Sequence, residues 1–538
     1  MEENNSSNES DVDIQNEDEM HLVTTTGAHA VYMCYFSDNT CEGSVADGPP
    51  LRSLGYKPTL HRTWKFFENF AASFGALYFV GGIRVTFSYG LYGGGPLAFW
   101  INYIVTCVFT FITAAMLAEI CSALPAAGSI YYWAAQSAGP RWGRLAGFVV
   151  AWWSVTAWTS FVAVNSQAAA NYLLSELTVF QVDFDGGIDY SNFKFRALAW
   201  ILSEVMLVLA VLLNYIPPRA YKWLLRVTFF MIVLDFLLNL IWLPIGVYQT
   251  YGFQSSDYLL TTYNGTGASP GWNWCLGYLA TAGVLVGFDA AGHVAEETQN
   301  ASQAAARGLF WSAVVSGLFG FPILILFLFC TPNIDTLSQL DAPQPFVSLY
   351  AMALGSRGHN TAVAIVAASR LIYAIARDGV LPGSNWIGIV GRDGFPRNAV
   401  TFVAVVSGIL LLTILPSQVA FSSLVSAAGV PTLTAYGLIA ICRLIFTPNR
   451  FSNGRWSMSP IFSLSACVLS VLWNSFSTAV LLSPFEFPVD SQNFNYAPLI
   501  FGFVTVMAVV SYAVTSEDKW NPLQRRSEEP VEAVHIQS

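Results

Sequence analysis

The sequence predicts an all-α polytopic membrane protein with about twelve transmembrane helices. Its 538 residues are 54% hydrophobic and only 11% charged, whereas about a quarter of the residues of a soluble globular protein are charged. Apolar stretches of about 17 to 25 residues, the length that crosses a bilayer, recur along the chain. The basic residues concentrate in alternate connecting loops, as the positive-inside rule requires. These observations exclude a soluble globular protein.

The apolar stretches give an even number of spans, which places both chain ends on one side of the membrane. The eighth stretch is short, and only its end near residue 376 is clear. The predicted spans are 66–90, 97–122, 142–174, 195–216, 221–247, 274–294, 309–330, one ending near 376, 399–416, 419–446, 461–482 and 496–515.

The spans leave a polar segment at each end of the chain. Residues 1–62 are predicted to be a disordered acidic cytoplasmic tail, because they are poor in apolar residues and rich in Asn, Ser, Asp and Glu. Residues 63–516 form the predicted transmembrane domain, and residues 517–538 form a second cytoplasmic tail. With a net charge of -10, the chain lacks the basic surface that nucleic acid requires, and we expect no nucleic-acid partner.

Charge placement tests the number of spans independently. If the N-terminus is cytoplasmic, all but four of the 24 Lys and Arg lie on the cytoplasmic side. The exceptions are Lys194, Arg196 and Arg357 outside and Arg84 within the membrane. One missed span would scramble this bias, so it supports cytoplasmic N- and C-termini.

Two predicted spans are interrupted by glycine and also contain an ionisable residue. The first has Gly81-Gly82 followed by Arg84, and the sixth has Gly283 and Gly287 before Asp289. An unwound membrane helix frees backbone groups near the midplane, where they can bind a solute. Because each interrupted helix opens a block of five spans, the pattern predicts an inverted 5+5 repeat. The repeats cover about 66–247 and 274–446, and two further helices cover about 461–515.

Arg84 needs a partner, because an isolated buried guanidinium is costly. The partner is either a carboxylate of the protein or one carried by the solute. The candidates within the predicted spans are Asp235, Asp289 and Glu204. The sequence leaves a permanent ion pair and solute capture equally open.

Other groups near the interruptions could bind a solute or move protons. His293, Glu296 and Asp235 are candidate members of a proton relay or coupling site, although His293 could equally donate a structural hydrogen bond. Phe79 and Phe288 flank the interruptions, where aromatic faces can gate a ligand or hold a cationic head, although most membrane aromatics simply pack. No metal-ligand spacing and no nucleophile–base set is present, so we expect neither a metal, a cofactor nor an enzyme.

Five motifs resemble the amino acid–polyamine–organocation (APC) superfamily, and within it the fungal amino acid/choline/GABA permease group. They are FSYGLYGGGP, AEICSALPAAGSIYYWAA, GFDAAGHVAEETQNAS, ASRLIYAIARDGVLPGS and GFPRNAV. The resemblance implies a LeuT-like fold, a 5+5 inverted repeat plus two helices, that works by alternating access and is driven by a proton or cation gradient. It also implies substrate contacts at the two interruptions, and the predicted substrate-binding residues are Phe79, Val80, Gly81, Gly82, Ile83, Arg84, Phe288, Asp289 and Ala290.

The chain departs from this resemblance at the eighth span. Only about eight apolar residues lie between His359 and Ser369, and a span needs roughly twice that number. Either a gene-model error has removed part of helix 8, or residues 349–354 are drawn inward to replace it. Helix 8 is therefore predicted to be shortened.

These inferences predict a permease in the lipid bilayer that moves a small nitrogenous solute together with a proton or another cation. Arg84 favours a carboxylate, whereas Asp289 and the aromatic residues favour an ammonium group. A zwitterion satisfies both, so an amino acid or GABA is the first expectation, and choline or a polyamine is the alternative. A nutrient sensor that binds without transporting is a further alternative. We expect the plasma membrane, with the vacuolar membrane as the alternative.

Overall fold

The structure, a computed structural model, describes residues 64–126, 128–215, 218–332, 342–355, 397–416, 418–452, 454–490 and 493–515. Of these residues 78% are helical, with almost no strand, which confirms the predicted fold class. The helices are α1 Phe66–Leu77, α2 Phe79–Tyr92, α3 Gly95–Ala123, α4 Ser129–Ser137, α5 Gly139–Val179, α6 Phe193–Leu213, α7 Pro218–Gln249, α8 Pro270–Leu276, α9 Leu279–Ala282, α10 Ala290–His293, α11 Ala301–Cys330, α12 Pro345–Gly355, α13 Arg397–Leu411, α14 Gln418–Phe446, α15 Pro460–Leu482 and α16 Ala497–Val514.

Short 3-10 turns complete the described helical structure, at Ser256–Leu260, Ala295–Glu297 and Leu412–Ile414. Within the described ranges, ten helices are long and apolar enough to cross a membrane when α1 and α2 are taken as one. These ten agree with ten of the twelve predicted spans. The predicted sixth span is the broken segment α8 to α10, and the predicted eighth span falls in residues 356–396, outside the described residues.

Burial separates central helices from peripheral ones. The most apolar windows of α1–α2 and of α5 are each 72% buried, against 22% for α6 and 17% for α16. Exposed aliphatic residues run along α6 and α16, as expected for helices that face lipid tails. The interrupted first helix therefore lies in the middle of the bundle.

Buried ionic groups join three of the helices near one end of the bundle. Glu119 of α3 accepts hydrogen bonds from Arg443 of α14 at 2.5 Å and from Ser463 of α15 at 2.7 Å. All three residues are buried. Because each charge has an opposite partner and further hydrogen bonds, the burial of this pair is offset.

Helix α12 is short but well packed. Phe346, Leu349 and Tyr350 are buried in a core cluster that also contains Phe87 of α2 and Phe327 of α11. The helix therefore covers one end of the interrupted first helix. The rest of the predicted helix 8 falls in residues 356–396, outside the described part of the chain, and its shortening stays a prediction.

Candidate functional site

The first helix is interrupted at Tyr78, not at Gly81-Gly82 as predicted. Tyr78 has φ 31° and ψ 56°, a left-handed conformation between α1 and α2. Gly81 and Gly82 instead lie in the first turn of α2, where the amide of Gly82 bonds to the carbonyl of Tyr78 at 3.0 Å. The position of the interruption was wrong because glycine permits unwinding without requiring it.

Gly82 has a packing role that the sequence did not reveal. A Cβ atom at this position would lie 3.0 Å from Cγ1 of Val284, closer than ordinary van der Waals contact. Helix α2 packs directly against α9, the segment that precedes the interruption of the sixth span. The missing side chain therefore allows the two interrupted segments to approach each other.

The sixth span is broken where the sequence predicted it. Helix α9 ends at Ala282, and α10 begins only at Ala290. Gly287, between them, has φ 108°, a conformation that favours glycine. Between the two helices, some backbone groups therefore have no hydrogen-bond partner within a helix.

Polar side chains from two other helices satisfy the freed carbonyl groups. Ser73 of α1 donates to the carbonyl of Phe288 at 3.1 Å, and Asn69 of α1 donates to that of Ala291 at 3.0 Å. Ser129 of α4 donates to the carbonyl of Asp289 at 3.4 Å. Helices α1 and α4 are thus joined to the broken segment by hydrogen bonds, as buried backbone in a membrane requires.

Asp289 lies fully buried at the end of this broken segment. The hydroxyl of Tyr436 donates to its Oδ1, and Nε2 of His293 lies 3.4 Å from its Oδ2. Aromatic rings lie next to this pair: Trp158 meets His293 edge-on at 5.8 Å, and the ring of Tyr436, which reaches Asp289, lies 5.0 Å from that of Phe288. The result is a carboxylate inside an aromatic enclosure.

Arg84 forms a buried ion pair with Asp235 of α7. The pair is bidentate, with Nη1 donating to Oδ1 of Asp235 at 3.0 Å and Nη2 pairing with Oδ2. The hydroxyls of Tyr78 and Tyr350 accept hydrogen bonds from the same guanidinium at 3.1 and 2.9 Å. Asn239 completes the network by donating to Oδ1 of Asp235 at 2.9 Å.

The structure thus separates the predicted charged residues into two groups. Of the three predicted partners for Arg84, Asp235 is the one it contacts, and Glu204 accepts a hydrogen bond from Trp200 at 3.1 Å. Asp289 belongs to the second group with His293. Arg84 therefore already has an internal counter-charge in this conformation.

The remaining predicted residues flank the interruptions. Phe79, Val80 and Ile83 are buried in the core cluster around α2, so their side chains pack in this conformation. Ala290 begins α10 and is partly exposed, and Glu296 is a partly exposed residue of the turn Ala295–Glu297. Glu296 lies seven residues beyond Asp289 in the chain.

Several residues of the site were not identified from the sequence. Tyr436 and Trp158 lie in apolar helices, where one aromatic residue among many gives no signal. Asn239 could have been found, because it lies one helical turn from Asp235 and so on the same face of α7. Tyr350 could not have been found in this way, because its helix lies far along the chain from Arg84, which it contacts.

Two interrupted helices that meet in the centre of a polytopic bundle, around buried polar groups, are typical of membrane solute transporters. Comparison with known proteins agrees with this class. The amino acid permease family matches residues 65–506, most of the chain. The chain therefore belongs to the amino acid permease family, within the APC superfamily.

Individual relatives share most of their length with the chain. A thiamine transporter of Schizosaccharomyces pombe is 45% identical over 90% of this chain and 88% of its own. The amino-acid permease BAT1 of Arabidopsis thaliana is 28% identical over 87% of this chain and 94% of its own. Amino-acid permease 2 of Neurospora crassa is 26% identical, covering 86% of each chain. The family description and the names of these relatives indicate transporters, not enzymes.

Proposed function

We propose that this protein is a secondary active transporter of a small organic cation, with thiamine as the first candidate, and that it works by alternating access. The observation that carries the proposal is the buried Asp289 in its aromatic enclosure. This departs from our first expectation of an amino acid or GABA. The reason is that Arg84, which favoured a carboxylate-bearing solute, is already paired with Asp235.

The distribution of charge favours a cationic solute. Arg84 and Asp235 neutralise each other, as do Arg443 and Glu119. Among the described residues, the partner beside Asp289 that can carry a positive charge is the imidazole of His293. A positively charged solute would supply a full counter-charge, whereas a carboxylate would have to displace Asp235 from Arg84.

The aromatic enclosure also favours a cationic solute. Faces of Trp, Tyr and Phe attract cations by about 0.5 to 2 kcal/mol when water is excluded. Tyr436 donates to Asp289, Trp158 meets His293 edge-on, and Phe288 packs against Tyr436. The thiazolium ring of thiamine is both aromatic and cationic, so it can stack and pair with a carboxylate at once.

Similarity to the thiamine transporter supports thiamine over other cations. At 45% identity over 90% of the chain, that relative is far more similar than the amino-acid permeases, whose identity is 28% or less. Choline or a polyamine would also suit Asp289, but neither would use a flat aromatic enclosure as fully.

An amino acid is the second candidate. The family description and two of the reported relatives name amino-acid permeases. The backbone carbonyls of Phe288 and Asp289 could bind the ammonium end of a zwitterion if Ser73 and Ser129, which donate to them, moved away. In that case the substrate carboxylate would bind backbone amides and its ammonium group would bind Asp289.

We further propose coupling to protons through Asp289 and His293. An imidazole is ionisable near neutral pH, and it lies 3.4 Å from the carboxylate that would hold the solute. Cytoplasmic chain ends and location in the plasma membrane, with the vacuolar membrane as the alternative, complete the proposal. The distribution of Lys and Arg supports the orientation.

Uptake by the purified protein in proteoliposomes tests this function. Labelled thiamine, choline, GABA and a set of amino acids are compared with and without an imposed pH gradient, and with and without sodium. We expect thiamine to accumulate and the pH gradient to drive it. Accumulation of an amino acid without thiamine would establish the second candidate, and binding without accumulation of any solute would indicate a sensor.

A further inference from the structure

A cavity of about 120 Å³ lies between α2, α5 and the start of α12. We name it the amide-lined cavity, after Gln167 and Asn171 of α5 and Gln344, which precedes α12. An apolar cavity of about 150 Å³ is large enough for benzene, so this one has the scale of a single six-membered ring. The lining residues are Arg84, Val85, Ser88, Val164, Gln167, Ala168, Asn171, Pro343, Gln344, Pro345 and Phe346.

The polar lining combines hydrogen-bond donors and acceptors. Tyr190 contacts Oδ1 of Asn171 at 2.5 Å and Nε2 of Gln167 at 3.4 Å. Those contacts leave the other amide atom of each side chain for a ligand. Nε of Arg84 is buried without a hydrogen-bond partner among the described residues, and Ser88 adds a hydroxyl that can donate or accept.

The cavity is electrically neutral and partly flat. The charge of Arg84 is balanced by Asp235, and the other lining residues are uncharged. Pro343, Pro345 and Phe346 provide apolar surfaces on the α12 side. A neutral ring with a polar edge therefore suits this cavity better than an ion does, because an ion would gain no counter-charge here.

We propose that the amide-lined cavity is a separate binding site for a neutral heteroaromatic ring, namely the aminopyrimidine ring of thiamine. This inference rests on the proposed function. Arg84 lies about 9 Å beyond the interruption at Tyr78, at 1.5 Å per helical residue. The cavity and the interruption are therefore separate places along α2, and the pyrimidine ring occupies the cavity independently of the contact between the thiazolium ring and Asp289.

Equilibrium binding to the full-length purified protein tests the site. The probe is the aminopyrimidine half of thiamine, with a hydroxymethyl group in place of the thiazolium ring, measured by titration calorimetry. We expect Asn171→Leu and Gln167→Leu each to weaken its binding about tenfold, the loss expected for one hydrogen bond. Asp289→Asn should leave its affinity within about twofold while it weakens binding of a thiazolium probe about 10- to 100-fold.

Tyr190→Phe is the matched control, because it removes the hydroxyl that contacts both amides and leaves the amides in place. Retained probe binding in this variant means that the amides act on the ligand and not through Tyr190. Retained thiazolium binding by the two leucine variants shows that they are folded. The proposal is overturned if the wild type does not bind the probe, if both leucine variants bind it normally, or if Asp289→Asn abolishes its binding.

Failure of the proposed function would give a different result. The pyrimidine probe would then bind and respond to Asn171→Leu as expected, while labelled thiamine would not accumulate in proteoliposomes. In that case the cavity remains a ring-binding site, and only its connection to thiamine transport is lost.

Discussion

Asp289 and Arg84 are both buried ionisable residues beside interruptions, yet their surroundings give them different roles. Arg84 is held by Asp235, Tyr78 and Tyr350, so its charge and most of its donors are occupied. Asp289 is held by one hydroxyl and lies beside an imidazole that is charged only when protonated. We therefore place solute recognition at Asp289 and a positioning role at Arg84.

Replacing Asp289 by Asn tests the first of these roles. The substitution keeps the shape and a hydrogen bond from Tyr436 but removes the charge. Loss of a charge-assisted contact of about 1.5–3 kcal/mol should raise the apparent KM for thiamine uptake about 10- to 100-fold. Asp257→Asn, at an exposed carboxylate outside the spans, is the control and should transport normally. An unchanged KM in Asp289→Asn would remove this residue from the site.

Replacing Arg84 by Met tests the second role. Breaking one side of a buried ion pair costs about 3–5 kcal/mol, so this variant should show a clear loss of thermal stability in detergent. Lys194 pairs with Asp185 through side chains that are 66% and 82% exposed, and Lys194→Met, the control, should cost about 0–1 kcal/mol.

The double variant Arg84→Met/Asp235→Leu separates structure from recognition. It leaves no uncompensated charge, so we expect most of the lost stability to return. If the double variant is stable but no longer binds a thiazolium probe, Arg84 acts on the cationic ring directly and our assignment of that ring to Asp289 is wrong.

At the scale of elements, the central feature is the close approach of α2 to the broken sixth span. Gly82 faces Val284, and the carbonyls of the broken segment accept hydrogen bonds from α1 and α4. The broken sixth span is therefore stabilised by contacts with the interrupted first helix and with α4. An element that depends on such contacts can change conformation when a ligand competes for them.

Gly82→Leu should block solute binding, because its side chain would occupy the space of Val284. Gly82→Ala should have a milder effect, and Val284→Ala in the same chain should reverse it, since it removes the methyl group that lies 3.0 Å from the new Cβ. Gly283→Ala is the control, because nothing lies within 4 Å of a Cβ there. Binding affinity and the yield of folded protein are measured together. Normal binding by Gly82→Leu would exclude this contact from the site.

The sequence predicted the elements better than the contacts between them. Long apolar stretches identify membrane helices reliably because hydrocarbon offers no other way to satisfy a backbone. The sixth interruption was found because Gly287 adopts a conformation that favours glycine. The first was misplaced because Tyr78, not a glycine, adopts the left-handed conformation. Tyr436 was missed because nothing in an apolar helix marks the one ring that faces a carboxylate.

At the scale of the whole molecule, burial identifies the centre of the bundle, and the distribution of charge predicts its orientation. The most buried helices are the interrupted first helix and α5, and both contribute residues to the enclosure of Asp289 or to the amide-lined cavity. The lipid-facing helices α6 and α16 contribute to neither site. Both proposed binding sites thus lie in the part of the bundle from which lipid is excluded.

The predicted orientation can be tested with epitope tags. Tags at both chain ends should be detected only after the cells are permeabilised, because nearly all Lys and Arg are then on the cytoplasmic side. A tag at Ser256–Leu260, between the fifth and sixth spans, should be detected on intact cells. The reverse pattern would invert the topology.

Discrimination by charge tests the central claim most directly. Two ligands of nearly equal shape, an N-methylated thiazolium and the matching neutral thiazole, are made to compete with labelled thiamine for binding to the purified protein. We expect the cation to compete at least tenfold better in the wild type, and this preference to disappear in Asp289→Asn. Equal competition by the two ligands in the wild type would contradict recognition of a cation at Asp289.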